Sequence, residues 1–249
     1  MKRFEGQIVM VTGASRGIGM ATAERFAAEG AHVILLANNA DELKRTAGQF
    51  ENQGYPVLPL CVDISDPNQV EDAIEQAVSI LGRIDVLVNN AGIAWEEPFL
   101  DITDAHWQQM INVNLNGMFY VAQRVSRQMV KQMSGCILNM GSTNGLAGEE
   151  NYAHYNASKG GVVLLTKTMA LELGRYNIRV NAVCPGYIQT PLTESIDDAE
   201  FVGSYIRNKI PLGKVGKVED VAGVFAFLAS EDAAFITGES IVVDGGQLA

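Results

Sequence analysis

The chain has 249 residues, 47% of them hydrophobic, which is enough for one large α/β domain with a substantial core. Its net charge of −11 argues against nucleic acid as a partner, because nucleic acid attracts basic surfaces. No apolar run reaches the length of a membrane span, and the polar start MKRFEGQ lacks the pattern of a signal peptide, so we expect a cytoplasmic protein with no membrane association.

Strand-like and helix-like patterns alternate along the whole chain. Seven short apolar runs are predicted strands: Gln7–Thr12, His32–Ala37, Val57–Val62, Asp85–Asn89, Cys136–Met140, Arg179–Cys184 and Ser240–Val243. Helical patterns fill most of the gaps, which predicts an α/β fold: a Rossmann-type, doubly wound parallel sheet of about seven strands with helices on both faces. Because no linker or repeat interrupts the pattern, we expect residues 1–249 to form a single domain.

A glycine-rich turn follows the first predicted strand. The segment TGASRGIG closes that strand, and a helical pattern continues from Met20 to Glu29. Glycine permits a tight turn and lets the backbone approach a pyrophosphate, while the helix start supplies free N–H groups and the positive end of a dipole. The position between strand and helix strengthens the signal for dinucleotide binding. The predicted contacts in this turn are Gly13, Ser15, Arg16, Gly17, Ile18 and Gly19.

The cysteines give no sign of a metal or disulfide framework. Cys61, Cys136 and Cys184 are odd in number, and each lies in or beside an apolar segment. We therefore expect buried free thiols in a reducing cytoplasm. None of them has metal-ligand spacing, and the three histidines do not cluster with them, so we expect no metal site.

A tyrosine and a lysine lie four residues apart in the segment HYNASKGG. We expect a helix from Tyr155 to Tyr176, so that Tyr155 and Lys159 share one helical face, one turn apart. An ammonium group near a phenol favours the phenolate and lowers the pKa of the phenol. A tyrosine tuned in this way can transfer a proton to or from a substrate oxygen.

Other polar residues follow the predicted strands at the edge where ligands bind. In open α/β sheets, ligands bind beyond the carboxyl ends of the strands. Ser142 falls just after the strand Cys136–Met140, and Asn90 and Gly92 fall just after Asp85–Asn89. These residues are therefore expected to lie at one edge of the sheet with the glycine-rich turn.

The motifs stand in the order and at the separations typical of one protein family. From about Phe4 to Gly246, the chain resembles the short-chain dehydrogenases/reductases. The matching segments are TGASRGIG at Thr12–Gly19, NNAG at Asn89–Gly92, Asn114 in INVNLNG, Ser142 in NMGSTNG, Tyr155 with Lys159, the pair Pro185 and Gly186, and the closing Asp244, Gly245 and Gly246. The resemblance implies an oxidoreductase that transfers a hydride between a nicotinamide cofactor and a secondary alcohol or ketone.

The resemblance also implies roles for four catalytic residues. Tyr155 is implied as the general acid in ketone reduction and the general base in alcohol oxidation. Lys159 is implied to lower the Tyr155 pKa and to hydrogen-bond the nicotinamide ribose. Ser142 is implied to hold the substrate oxygen, and Asn114 to anchor a water molecule that relays protons to Lys159.

Further cofactor contacts are implied along the chain. Asp63 resembles the family's acidic contact to the adenine amino group, although an aspartate that caps a turn fits this position equally well. Thr190 resembles a contact to the nicotinamide carboxamide, and Ile188 would offer backbone groups to the same amide. The other implied contacts are Asn38, Ile64, Asn90, Ala91, Gly92, Tyr155, Lys159, Pro185 and Gly186.

The end of the second strand bears on the choice between NAD and NADP. NAD-binding members carry an acid there for the ribose 2′-hydroxyl, but this chain has Ala37 at that position. Asn38 stands where NADP-preferring members often have arginine, whereas Arg16 offers a cation for a 2′-phosphate. We expect a modest preference for NADP, with NAD also accepted.

The loops near the expected site suggest a small substrate. Trp95, Asn144, Glu149, Glu150 and Tyr187 would provide hydrogen bonds and aromatic surface for a polyhydroxylated or cyclic secondary alcohol or ketone. A solvated loop is an equally good interpretation of the two glutamates. The irregular stretch 188–217, with an amphipathic segment Asp197–Lys209, is expected to form a lid over the substrate.

Three alternative functions remain open. The first is a 3-oxoacyl-carrier-protein reductase. Such enzymes usually have basic residues that bind an acidic carrier protein, but this chain has Gln132, Met133, Cys136 and Leu171 at those positions. The second is a nucleotide-sensing protein without turnover, against which the intact catalytic set argues. The third is a nucleotide-sugar epimerase or dehydratase, whose longer chains carry an added substrate domain.

Relatives of this length are usually homotetramers, and the apolar helices Tyr155–Tyr176 and Val218–Ser230 fit that assembly.

Overall fold

The computed structural model describes residues 2–194 and 199–249, and its core is one parallel sheet. Seven strands lie in the order β3-β2-β1-β4-β5-β6-β7. Their bounds are β1 Ile8–Thr12, β2 His32–Ala37, β3 Val57–Cys61, β4 Val86–Asn89, β5 Gly135–Met140, β6 Ile178–Pro185 and β7 Ser240–Val243. The predicted doubly wound sheet of seven strands is therefore confirmed, with each strand displaced by no more than one residue at either end.

Helices cover both faces of this sheet. The helices are α1 Gly17–Ala28, α2 Ala40–Asn52, α3 Pro67–Leu81, α4 Asp104–Ile111, α5 Met118–Gln132, α6 Ala153–Leu173, α7 Pro191–Glu194, α8 Ala199–Lys209 and α9 Val218–Ala229. One core contains residues of α1, α2 and α9, including Phe26 and Phe225. The core on the opposite face contains residues of α3, α5 and α6, including Val70 and Val125.

The central strand β1 is continuously apolar because both of its faces are buried. Val9 and Val11 pack into the first core, whereas Ile8 and Met10 pack into the second. Successive side chains of a strand point to opposite faces, and here both faces are covered by helices. Every residue of β1 is consequently buried.

The winding of the sheet reverses between β1 and β4, and this creates a crevice at their carboxyl ends. The Thr12 hydroxyl accepts hydrogen bonds of 2.9 Å from the backbone N–H groups of both Asn90 and Ala91. The Asn90 amide donates back to the Thr12 carbonyl at 2.9 Å. The two strand ends are thus held together at the point where a ligand is expected.

Two sequence expectations need correction. Helix α1 begins at Gly17 rather than Met20, because the glycines of the turn form its first turn despite their low helix propensity. Cys61 is exposed rather than buried, since it ends the edge strand β3, whereas Cys136 and Cys184 are buried thiols. Within the described residues, no helix combines the length and apolar character that crossing a membrane requires.

Candidate active site

The glycine turn places an open helix start at the crevice. Gly13 has a φ of +65°, and a side chain at Gly19 would overlap the Gly13 carbonyl oxygen. Residue Arg16, which precedes α1, makes no side-chain cap, and the first turn of the helix carries no acid. A Cβ atom on Gly17 would meet nothing nearer than Thr190, at 3.9 Å. Free N–H groups, a positive dipole end and open space together fit the pyrophosphate of a dinucleotide.

A carboxylate that the sequence analysis missed lies beside this turn. The Ser15 hydroxyl donates to Glu42 Oε2 at 3.1 Å, and Arg16 Nη1 lies 3.7 Å from Glu42 Oε1. Glu42 is in the first turn of α2, where its own N–H donates to the side chain of Asn39. The available signal was an acid about 20 residues beyond the glycine turn, the separation known for ribose-binding acids. Asn38, at the end of β2, is exposed beside Cys61.

The adenine side of the predicted site contains Asp63 and Ile64. Asp63 Oδ1 accepts hydrogen bonds from the Ser65 N–H at 2.9 Å and the Ser65 hydroxyl at 2.7 Å. The structure therefore gives Asp63 a role in a turn, and its adenine contact stays a prediction. Ile64 is buried against Gly117, where a Cβ atom would approach within 2.9 Å of the isoleucine side chain.

The Ser142, Tyr155 and Lys159 side chains converge at the carboxyl ends of the central strands. Tyr155 and Lys159 lie in the first two turns of α6, as predicted, although this helix begins at Ala153. Lys159 Nζ lies 5.6 Å from the centre of the Tyr155 ring. Ser142 follows β5 and is buried, and its side chain favours the ionised form of the Tyr155 phenol. The structure brings these three predicted residues together.

The electrostatics of the phenol differ from the expectation. Burial raises the Tyr155 pKa, and the Ser142 side chain lowers it by a smaller amount. Burial also lowers the pKa of Lys159 to about 8. A net lowering of the Tyr155 pKa is not found in this structure, because desolvation is the largest effect and the Lys159 ammonium group donates its hydrogen bond to the Met140 carbonyl.

Asn114 lies in a π-helical segment, Asn112–Gly117, between α4 and α5. Its amide oxygen accepts from the Ile93 N–H at 2.8 Å, and its amide nitrogen donates to the Ile93 carbonyl at 2.8 Å and the Ser158 hydroxyl at 3.3 Å. A Cβ atom on Gly92 would lie 3.1 Å from the Asn114 oxygen and 3.7 Å from Lys159 Nζ. Asn114 therefore holds the loop after β4 close to Lys159, and its proton-relay role stays a prediction.

The segment after β6 contains the remaining predicted cofactor contacts. Gly186 follows Pro185 and packs against the C-terminal segment, where a Cβ atom would lie 2.7 Å from the Asp244 side chain. Ile188 pairs with Gly216 in a parallel bridge, so both ends of the predicted lid 188–217 are joined. The Thr190 N–H donates to the Thr193 hydroxyl at 2.9 Å. The first part of the predicted segment Asp197–Lys209 lies outside the described residues, and α8 accounts for the rest.

Two of the predicted substrate residues meet beside Ser142. The Ser142 hydroxyl donates to Asn144 at 3.3 Å, and Asn144 donates to Glu149 at 2.8 Å. Tyr205 of α8 lies 3.5 Å from Glu149 through its hydroxyl and packs its ring 5.2 Å from that of Tyr187. Helix α8 thus brings Tyr187 to this hydrogen-bond chain. Tyr205 was missed because its helix gave only an amphipathic pattern.

The other two predicted substrate residues have different environments. The Trp95 indole donates to Glu97 and lies edge-on to the rings of His106 and His154. Glu150 lines a cleft of about 520 Å³ between segments 98–101 and 149–156. Among the described residues, no group of histidine, cysteine or acidic side chains is arranged to hold a metal ion.

An open helix start after a glycine turn, beside Ser142, Tyr155 and Lys159, defines the class of protein as a nicotinamide-dependent oxidoreductase. A family model described as enoyl-(acyl carrier protein) reductase matches residues 13–247. The 3-oxoacyl-[acyl-carrier-protein] reductase of Thermotoga maritima is 44% identical over 98% of both chains. A gluconate 5-dehydrogenase from Burkholderia cenocepacia J2315, solved with NADP and tartrate, matches with a TM-score of 0.94 and 35% identity over 99% of this chain and 97% of its own. The structure of levodione reductase matches with a TM-score of 0.94 and 36% identity over 98% of both chains.

The chain belongs to the short-chain dehydrogenase/reductase family. It is accordingly an NAD(P)-dependent oxidoreductase that interconverts secondary alcohols and ketones. Membership rests on similarity over nearly the whole chain, and the glycine turn, the NNAG segment and Ser142 follow the neighbouring strands β1, β4 and β5.

Proposed function

We propose that this enzyme acts on a small polyhydroxylated or cyclic secondary alcohol or ketone and prefers NADP over NAD. The observation that carries the proposal is the hydrogen-bond chain from Ser142 through Asn144 to Glu149, which continues to Tyr205. Such alternating donors and acceptors beside the reacting group suit a substrate with several hydroxyl groups. The similarity to a gluconate 5-dehydrogenase and to levodione reductase supports a substrate of this size.

The chain's own residues supply proton transfer and orientation. Tyr155 is proposed to exchange a proton with the substrate oxygen, and its raised pKa keeps the phenol protonated and ready to act as an acid in reduction. Ser142 would hold the same substrate oxygen through its hydroxyl. Lys159 would bind the ribose, and Asn114 would fix the loop beside it. The bound nicotinamide supplies the hydride chemistry.

The cofactor contacts are proposed from the turn, the strand ends and the segment after β6. The open start of α1 fits the pyrophosphate, and Thr190 faces that start across open space. Arg16 is proposed to bind the 2′-phosphate of NADP, in competition with its partner Glu42. The absence of an acid at Ala37 supports NADP, and the presence of Glu42 supports the acceptance of NAD as well.

We further propose a cytoplasmic homotetramer with one domain per chain and a lid at 188–217. Large apolar side chains are exposed on α6, where Leu164 is 67% and Leu171 is 83% exposed, which supports burial against a partner. Cys136 and Cys184 are free thiols, as expected in a reducing compartment. The bridge between Ile188 and Gly216 would hold the base of the lid.

A second candidate is 3-oxoacyl-carrier-protein reductase activity, which the 44% identical relative favours. The positions expected to be basic do not support docking of an acidic carrier protein. Gln132 instead bonds both backbone groups of Ile84, at 3.1 and 2.8 Å, and Leu171 is exposed. An acidic chain would also repel an acidic carrier.

The testing experiment follows nicotinamide absorbance across sugars, polyols, cyclic alcohols, simple ketones and a 3-oxoacyl thioester, with NADP(H) and NAD(H) in parallel. We expect turnover of a hydroxylated or cyclic compound that falls by a factor of about 10² to 10⁴ in Tyr155→Phe. Tyr176→Phe, in the 3₁₀ turn that follows α6, makes the same change as a control. Turnover of the thioester alone would support the second candidate and contradict the first.

A further inference from the structure

The loop after β4 approaches the start of the catalytic helix α6 through one carboxylate. Asn114 holds Ile93 at the beginning of this loop. Four residues later, the backbone N–H of Glu97 donates to the carbonyl of Asn151 at 2.8 Å, just before α6. The loop is therefore attached at one end to the π-helical segment and at the other end to the residues that precede Tyr155.

The Glu97 carboxylate accepts hydrogen bonds from two elements and lies close to a histidine of a third. It accepts a hydrogen bond from the Trp95 indole at 3.2 Å in its own loop and from His106 Nδ1 of α4 at 2.9 Å. His154 Nε2 of α6 lies 3.7 Å from the same carboxylate. The Glu97 side chain is only 13% exposed, and the His106 hydrogen bond lowers its pKa, so Glu97 is a largely buried anion.

His154 connects this anion to the backbone of the catalytic tyrosine. Its ring is fully buried, and Nδ1 accepts a hydrogen bond of 2.9 Å from the Tyr155 N–H. In a neutral ring the proton is then on Nε2, which faces Glu97 at 3.7 Å and makes no hydrogen bond with the described residues. Tyr152 provides no side-chain cap for α6, so the His154 ring satisfies an N–H of the first turn.

The same contacts also set the walls of the cleft beside the site. That cleft lies between Pro98–Asp101, which directly follow Glu97, and residues 149–156 at the start of α6. The Glu97 backbone bond to Asn151 and its side-chain contact with His154 join the two walls. A shift of about 1 Å in a reacting group can lower a rate about 10²-fold, so a contact of this kind can control turnover.

We propose that Glu97 is a positioning residue, which holds the loop after β4 against the start of α6 and thereby orients Tyr155 through His154. The role rests on the proposed oxidoreductase function, because it acts through the catalytic tyrosine. Glu97 itself does not touch the reacting atoms.

The kinetic test compares Glu97→Gln with Glu96→Gln. Both changes remove one negative charge, but Glu96 is exposed, and among the described residues it accepts a hydrogen bond only from the Tyr152 hydroxyl, at 3.2 Å. We expect kcat to fall about tenfold or more in Glu97→Gln with a cofactor Kd within twofold of wild type, and to change less than twofold in Glu96→Gln. An unchanged kcat in Glu97→Gln, even with a lower melting temperature, would reduce Glu97 to a structural role and overturn the proposal.

A second pair of variants keeps the test decisive if Glu97→Gln folds poorly. His106 is exposed, so its replacement is tolerated more easily. His106→Ala removes the N–H that binds Glu97, whereas His106→Asn retains an amide N–H at about the same distance from the backbone. We expect kcat to fall in the alanine variant and to recover in the asparagine variant, and equal kcat values in both would contradict the proposal.

A spectroscopic test separates this proposal from the proposed function. The chain has two tryptophans, so Trp107→Phe leaves Trp95 as the single fluorophore. Adding Glu97→Gln to that background should shift the Trp95 emission to the red, as the loop separates from α6 and water enters. This shift is expected whether or not a substrate is found. An unchanged spectrum would overturn the proposed attachment, whereas a wild-type enzyme that is inactive across the panel would overturn the proposed function alone.

Discussion

The ammonium group of Lys159 donates a hydrogen bond of 2.9 Å to the backbone carbonyl of Met140, the last residue of β5. This bond ties the catalytic helix α6 to the strand that Ser142 follows. Lys159 is 2% exposed, and no acid of the described residues forms an ion pair with it. A nearly buried ammonium group with only a neutral acceptor in reach is expected to destabilise the fold.

Lys159→Met should therefore stabilise the protein at neutral pH while it lowers activity. A pKa lowered from 10.5 to about 8 corresponds to about 3 kcal/mol against the charged form. The loss of the Met140 hydrogen bond offsets about 1 kcal/mol of that gain. We expect a melting temperature higher by several degrees at pH 7, measured by thermal unfolding, at about 2–4 °C per kcal/mol.

The pH dependence gives the sign of this effect. The folded-state pKa lies below the unfolded-state value, so the destabilisation is complete below about pH 8 and disappears as the pH rises toward 10.5. The advantage of Lys159→Met should accordingly shrink between pH 7 and pH 9.5. Lys167→Met, an exposed lysine on the same helix, serves as the control and should show no such trend. A constant difference at both pH values would mean that Lys159 is not buried as an ammonium group.

The contact of Glu42 with the glycine turn predicts how cofactor preference changes. Arg16→Ala should weaken NADP binding about tenfold while NAD binding changes little, because a cation facing the 2′-phosphate is lost. Glu42→Gln should tighten NADP binding, since it removes a negative charge 3.7 Å from Arg16. Dissociation constants for both cofactors, measured by calorimetry, check both changes.

Arg127→Ala provides the matched control for this experiment. Arg127 lies on α5, is exposed, and bonds only Gln123 of the same helix among the described residues. It should leave the ratio of the two dissociation constants unchanged. If Arg16→Ala weakened the binding of NADP and NAD equally, Arg16 would not be a contact to the 2′-phosphate.

The exposed leucines of α6 predict the site of subunit contact. Leu164 and Leu171 are seven residues apart and therefore share one helical face. Leu171→Glu should break a contact that buries this face and lower the mass found by light scattering at micromolar concentration. Ile80→Glu, at another exposed apolar position on α3, should leave the mass unchanged. A wild-type monomer would contradict the proposed tetramer.

The sequence predicted the fold because its strongest signals are local. Strands buried on both faces are continuously apolar, as in β1, and the glycine turn between β1 and α1 is recognisable from residue order alone. The position of Ser142 at the ligand-binding edge followed from a general rule on strand ends, whereas its convergence with Tyr155 was implied by the family resemblance. These features depend on a few neighbouring residues each.

The features that the sequence analysis missed depend on contacts between distant segments. Glu97 and His154 lie 57 positions apart, and only the fold brings the carboxylate within 3.7 Å of the imidazole. The motif also predicted a lowered Tyr155 pKa, whereas burial raises it. Neither this burial nor the hydrogen bond from Lys159 to the Met140 carbonyl can be inferred from the motif alone. Desolvation is a property of the packed molecule, so a four-residue spacing does not determine it.

The glycines predict opposite effects for the same substitution. Gly19→Ala would place a methyl group against the Gly13 carbonyl oxygen and the Asn90 amide, and neither can move without disturbing the strand ends at the crevice. We expect lost NADP binding and lower thermal stability. Gly223→Ala, within α9, adds the same methyl group with nothing within 4 Å, so it should stabilise the protein by about 0.5–1 kcal/mol through helix propensity. Thermal unfolding and cofactor titration of both variants test this, and intact NADP binding in Gly19→Ala would show that the turn tolerates a side chain and is not the pyrophosphate site.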